Sequence, residues 1–112
     1  MLNELGKGFL EVSTTHGFTT GSESTLDTTE KLMLSVSELA EALEELRSGN
    51  HPQLIYYKPD KPNKPEGFPI EMADTIIRLL QLCVALGIDI DYAVALKDSY
   101  NKSRPFKHGK KF

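Results

Sequence analysis

From Thr28 to Arg47 apolar residues return at alternating spacings of four and three: Leu32, Val36, Leu39, Leu43 and Leu46 make one stripe along an expected helix. Asp27-Thr28-Thr29-Glu30 ahead of it has the spacing of a capping box, with Asp27 as N-cap and Glu30 reaching back. Ser48-Gly49-Asn50 supplies the stop. A second helix is expected from Pro69, a good first-turn residue, to Leu86, with Gly87 ending it. Only Glu71, Asp74, Thr75, Arg78 and Gln81 interrupt its apolar surface, so neighbours should wrap it on most sides. Asp89 or Asp91 caps a further helix to about Tyr100 or Lys102, with Ile90, Ala93, Val94 and Leu96 as packing residues. Met1 to Val12 has the makings of a short helix, weakened by Gly6 and Gly8, and Ser13 to Leu26 reads as loop. His51 to Gly67 carries Pro52, Pro59, Pro62 and Pro65 and is expected to be an extended loop, long enough to be functional. No strand pattern rivals these helices, so the expected class is all-α, an antiparallel helical bundle.

Length and composition narrow the picture. A chain of 112 residues has room for one domain, 1–112, with an N-terminal helix and loop over 1–27, a helical core over 28–102 and a basic tail over 103–112. Hydrophobic residues at 39% and charged residues at 26% are ordinary for a globular protein, and so small a core is often completed by oligomerisation. A net charge of −3 gives no reason to expect a nucleic-acid partner. Cys83, the one cysteine, lies in an apolar run and reads as a small buried hydrophobe. No stretch approaches the ~20 apolar residues of a membrane span, and no signal-peptide pattern opens the chain. The expectation is a cytoplasmic protein with no membrane partner.

The acids carry the chemistry. Glu38 and Glu41 are three apart and share one helical face, with Glu45 between them in angle and Leu34 and Ala42 flanking. Glu71 and Asp74 repeat the spacing and share a narrow polar stripe with Arg78 on the apolar second helix. A pair such as Glu38/Glu41 alone is usually a solvated face. Carboxylates on a buried helix are costly unless something satisfies them together, and a bound metal does so. Two helices joined by a loop can pack antiparallel and bring the pairs face to face, and hard oxygen donors suit Mg²⁺. A di-iron carboxylate bundle would need Glu-x-x-His pairs, which His16, His51 and His108 do not supply.

The same residues carry a family likeness. Lys31-Leu32-Met33-Leu34-Ser35-Val36-Ser37-Glu38-Leu39-Ala40-Glu41-Ala42-Leu43-Glu44 resembles the first metal helix of the MazG-like all-α nucleoside triphosphate pyrophosphohydrolases, and Glu71-Met72-Ala73-Asp74-Thr75-Ile76-Ile77-Arg78 resembles their second. Lys97, Asn101 and Arg104 are similar to the K…N..R signature that closes the family domain. The resemblance spans residues ~28 to 112. It implies a homodimer, often doubled to a homotetramer. It implies hydrolysis of a (d)NTP between the α- and β-phosphates, dependent on Mg²⁺ with Mn²⁺ as a substitute, to the monophosphate and pyrophosphate. It makes Glu38, Glu41, Glu71 and Asp74 the ligands, and Lys97, Asn101 and Arg104 contacts to the triphosphate or supports of the site. Many members have two adjacent glutamates in the first motif, where this chain has Ser37 before Glu38.

The inventory agrees with that chemistry: metal neutralises polyphosphate charge, cations stabilise the developing charge, and Glu38 or Glu45 is a candidate base. Lys107, His108, Lys110 and Lys111 suit an arm closing over phosphates and equally a solvated terminus. Phe18 could stack on a base, or be a plain core aromatic. Tyr56 and Tyr57 could meet the nucleotide or cover a neighbouring subunit. The expected function is therefore nucleotide-pool housecleaning or dNTP balance. Its rivals are a non-catalytic helical interaction module that keeps the fold, which Ser37 leaves open, and an acid-rich bundle without metal.

Overall fold

The computed structural model describes residues 1–16 and 25–105. Among these it has four helices, α1 (Leu2–Thr15), α2 (Thr25–Arg47), α3 (Phe68–Ala85) and α4 (Ile90–Ser103), with a two-stranded antiparallel hairpin, β1 (Tyr56–Lys58) and β2 (Lys61–Glu66), between α2 and α3. The helical class expected from the sequence is there, with one correction: part of the Pro-rich segment is a hairpin. Its prolines are tolerated because each strand of a two-stranded sheet has a free edge. Tyr56 pairs with Glu66 and Lys58 with Lys61, with an irregularity in register between them. Gly67, at φ 125°, then turns the chain into α3. A Cβ there would strike the Leu54 carbonyl and be strained by the backbone angle besides.

Two helix boundaries also move. α1 continues past Val12 to Thr15, and Gly6 within it lies against α3, where a Cβ would come within 2.7 Å of Val84 Cγ2 and 2.8 Å of the Leu80 carbonyl oxygen. The glycine is there for close approach, which outweighs its weak helix propensity. α2 begins at Thr25, so Asp27 is a first-turn acid and not the N-cap. It still faces the positive end of the helix dipole.

α3 is the central element, with α2 and α1 both packed along it. Contacts run in opposite directions for α2 and α3: Glu38 meets Arg78, while Lys31 and Leu34 share a cavity wall with Gln81. The pair is therefore antiparallel, as expected. The contact row is made of small residues. Ala42 and Ser35 are buried on α2 and Thr75 on α3, and the two hydroxyls bond back to the Lys31 and Glu71 carbonyls of their own helices.

That row is not the leucine stripe. Leu32, Val36, Leu39, Leu43 and Leu46 are each 40 to 51% exposed. α4 likewise buries no residue, and its expected packing residues Val94 and Leu96 lie open. It is held at its start. The Asp91 carboxylate accepts from the α1 amides of Leu2 (2.8 Å) and Asn3 (3.0 Å), and the Asn3 side chain donates to Asp89 and accepts from the Ile90 amide. Asp89 caps α4 by accepting from the Tyr92 amide. Among the described residues no single helix is long and apolar enough to cross a membrane.

Candidate metal centre

The antiparallel packing of α2 on α3 puts acids from both helices around one cleft of about 670 Å³. Glu38, Glu41, Glu44 and Glu45 face it from α2, Glu71 and Asp74 from α3, and Glu66 with Lys64 from the hairpin. Within it, Glu38, Glu71 and Asp74 each offer a carboxylate oxygen, and these oxygens lie within 4.8 Å of one another. All three residues are half-buried. Glu41 lines the same cleft and acts on Glu71 by charge and hydrogen bonding, but it stands outside that tightest group.

Bringing like charges together out of water raises their proton affinity. Burial, and then the neighbouring Glu38 and Glu41 carboxyls, push Glu71 up to about 8. Asp74 is raised too, first by burial and then by the charge of Glu38, with Arg78 and Lys64 pulling the other way. One oxygen of Glu71, Oε2, is buried and accepts no hydrogen bond. Arg78 does not serve it: its Nε donates to Glu38 Oε1 at 3.2 Å. A cluster of three carboxylates with one orphaned oxygen fits a hard divalent cation by donor chemistry, and Glu38, Glu71 and Asp74 are the residues that would hold one.

Glu45 has another occupation. The Tyr56 hydroxyl, on β1, donates to its two oxygens at 2.8 and 3.0 Å, and Asn50 Nδ2 donates at 2.8 Å. That hydrogen bond pushes the Tyr56 hydroxyl up to about 12. Glu45 thus fastens the hairpin over the cleft, while Tyr57 points out and is exposed. Glu66 closes the hairpin side, with Lys58 Nζ at 3.4 Å and Lys64 Nζ at 3.8 Å.

The other expected site residues lie elsewhere. Lys97 and Asn101 line a separate cavity on α4 with Ile90, Ala93, Val94 and Asp98. The Lys97 ammonium and the Arg104 guanidinium flank the Tyr100 ring at 4.9 and 5.3 Å. None of the three lines the acidic cleft of this chain. Phe18 and Lys107 fall outside the described residues. Lys64 and Glu66 are the hairpin residues of the cleft that sequence reasoning missed, and Tyr56, a candidate nucleotide contact in the sequence, instead anchors the hairpin to Glu45. The signal was their place in a long Pro-rich segment directly before the second acidic helix.

Comparison of the chain with models of protein families, with curated protein sequences and with solved structures gives no match.

Proposed function

We propose that this chain is a Mg²⁺-dependent nucleotide pyrophosphohydrolase of MazG-like type, which hydrolyses a (d)NTP to the (d)NMP and pyrophosphate in nucleotide-pool housecleaning or dNTP balance. The observation that carries the reading is the convergence of Glu38, Glu71 and Asp74 within 4.8 Å, beside an orphaned Glu71 oxygen. The resemblance of the two acidic helices and of Lys97/Asn101/Arg104 to that family supports it as well.

Bound by these carboxylates, Mg²⁺ would neutralise polyphosphate charge and polarise the phosphorus under attack. The chain's own groups do the rest. Water adds to the α-phosphorus as the α–β anhydride bond breaks, and pyrophosphate leaves with the bridging oxygen. The cleft offers carboxylates to take up the water's proton, and Ser37 is the one hydroxyl among its described lining residues, with no His there to activate it and no Cys. Arg78 holds Glu38 by its Nε, which fixes the rotamer of one donor.

The proposal includes a second copy of the chain. Leu32, Val36, Leu39, Leu43 and Leu46 follow the a/d spacing of a helix–helix seam, and no described helix covers them. The same stripe on a second copy is its natural complement. Lys97 and Asn101 line a cavity apart from the cleft of their own chain, so a contact with triphosphate would come from the partner's α4.

Release of pyrophosphate from a panel of NTPs and dNTPs, with and without Mg²⁺, tests the reading. It predicts turnover that needs the metal and is lost in Asp74→Asn, a variant that keeps its helical circular dichroism. Wild-type turnover in Asp74→Asn would remove Asp74 from the ligands. Ser37, which lines the cleft beside Glu38 where the family usually has an acid, favours one other reading: an interaction module that binds metal and nucleotide without turnover.

A further inference from the structure

Seven carboxylates face the cleft, from Glu38, Glu41, Glu44, Glu45, Glu66, Glu71 and Asp74. A polyanion entering it meets repulsion that one divalent ion offsets only in part. Among the described lining residues there is one cation, Lys64. Arg78 lies beside Glu38 and lines a neighbouring cavity, and Lys97 and Asn101 line another. Among the described residues the site therefore has a single cation of its own chain, and it comes from the hairpin.

Lys64 is placed to move. It is 60% exposed, and its tie to Glu66 is long, 3.8 Å. An ion pair that long, with its lysine largely in solvent, contributes little and is cheaply broken. Glu66 is only 18% exposed and would be costly to leave alone, but Lys58 stands 3.4 Å from its other oxygen. Lys64 can turn away and leave that carboxylate its ion pair with Lys58, although its Oε2 accepts no hydrogen bond. The ammonium is also near enough to Asp74 for its charge to oppose the rise in that group. Tyr56 anchors the hairpin to Glu45, so the strand that carries Lys64 is positioned from the same helix that supplies Glu38.

We propose that Lys64 is a phosphate-binding residue of the cleft, which exchanges Glu66 for a non-bridging oxygen of a metal-bound polyphosphate. The inference rests on the reading of the cleft as a metal–triphosphate site, and it adds a ligand contact from the hairpin.

Calorimetric titration with magnesium tripolyphosphate separates the two. In Lys64→Ala the affinity falls about tenfold or more, the loss of one charge-assisted contact. Lys64→Arg restores most of it. Lys61→Ala, a hairpin lysine outside the cleft lining, binds like wild type, and Mg²⁺ alone binds all four proteins equally. In turnover, KM for the nucleotide rises in Lys64→Ala while kcat changes little. Equal tripolyphosphate affinity in wild type and Lys64→Ala overturns the inference, as does an equal loss in Lys61→Ala, which would make the effect general charge. A wild type that binds tripolyphosphate but hydrolyses no nucleotide overturns the pyrophosphohydrolase reading and leaves Lys64 standing. A wild type that binds no tripolyphosphate overturns both.

Discussion

The two long faces of α2 are reversed from those of an ordinary surface helix. The face against α3 carries Glu38, Ala42, Ser35 and Glu45, small or acidic, and the face toward solvent carries five large aliphatic residues. In a surface helix the apolar stripe faces the core. Neither arrangement stands comfortably alone. Acids turned inward need counter-charge, and leucines turned outward need a partner. The reversal gives α2 an inner face that concentrates charge and an outer face of open leucines, which the proposed function assigns to a ligand and to another copy.

The largest test strikes the outer face. Leu39→Glu combined with Leu43→Glu should weaken self-association by about 100-fold or more, since both residues sit mid-stripe. Sedimentation velocity reads it as a shift to monomer. A wild type that sediments as a monomer at every concentration breaks this half of the comparison.

The next test strikes the inner face through pH. Folded Glu71 holds its proton up to about 8, against about 4.5 for an ordinary glutamate. Between those values the folded state binds more protons than the unfolded one, so stability falls as pH rises. The melting temperature of the metal-free protein should decline across that window, and Glu71→Gln should flatten the slope. A melting temperature that rises across the window contradicts the assigned crowding. Saturating Mg²⁺ should raise the melting temperature most at the alkaline end, where the ligands have shed their protons.

The smallest effect belongs to the hairpin. Tyr56→Phe removes the donor to Glu45 and should lower the melting temperature by a few degrees with helix content unchanged. If Lys64 is positioned through this anchor, KM rises modestly in the same variant.

The reach of the sequence follows the same division. Helix α2 is legible because its period and its glycine stop are local properties, and the acidic spacing on α2 and α3 is local too. Which face of α2 turns inward is not local. Periodicity marks the leucines as a packing face without saying which chain they pack against. Asp89 and Asp91 show the limit well. Both were candidates to cap one helix, yet Asp89 caps α4 while Asp91 accepts from the start of α1, at the opposite end of the chain in sequence. The hairpin escapes because Lys61-Pro62-Asn63-Lys64-Pro65-Glu66 has neither alternation nor β-branched residues. It is held by Tyr56 on Glu45 and by Lys58 on Glu66, contacts that no window of sequence displays. Lys97, Asn101 and Arg104 were legible as a spaced set, but α4 is tied to α1 and not to the acidic cleft, so the spacing did not tell which acids they would serve.

Calorimetric titration of Mg²⁺ into the wild type near pH 7 in buffers of different ionisation enthalpy tests the central claim most directly. The account predicts that the ion binds, that the observed heat depends on the buffer because Glu71 gives up its proton, and that Asp74→Asn removes the binding while keeping the fold. A wild type that takes up no Mg²⁺, or an Asp74→Asn protein that binds it unchanged, would contradict it.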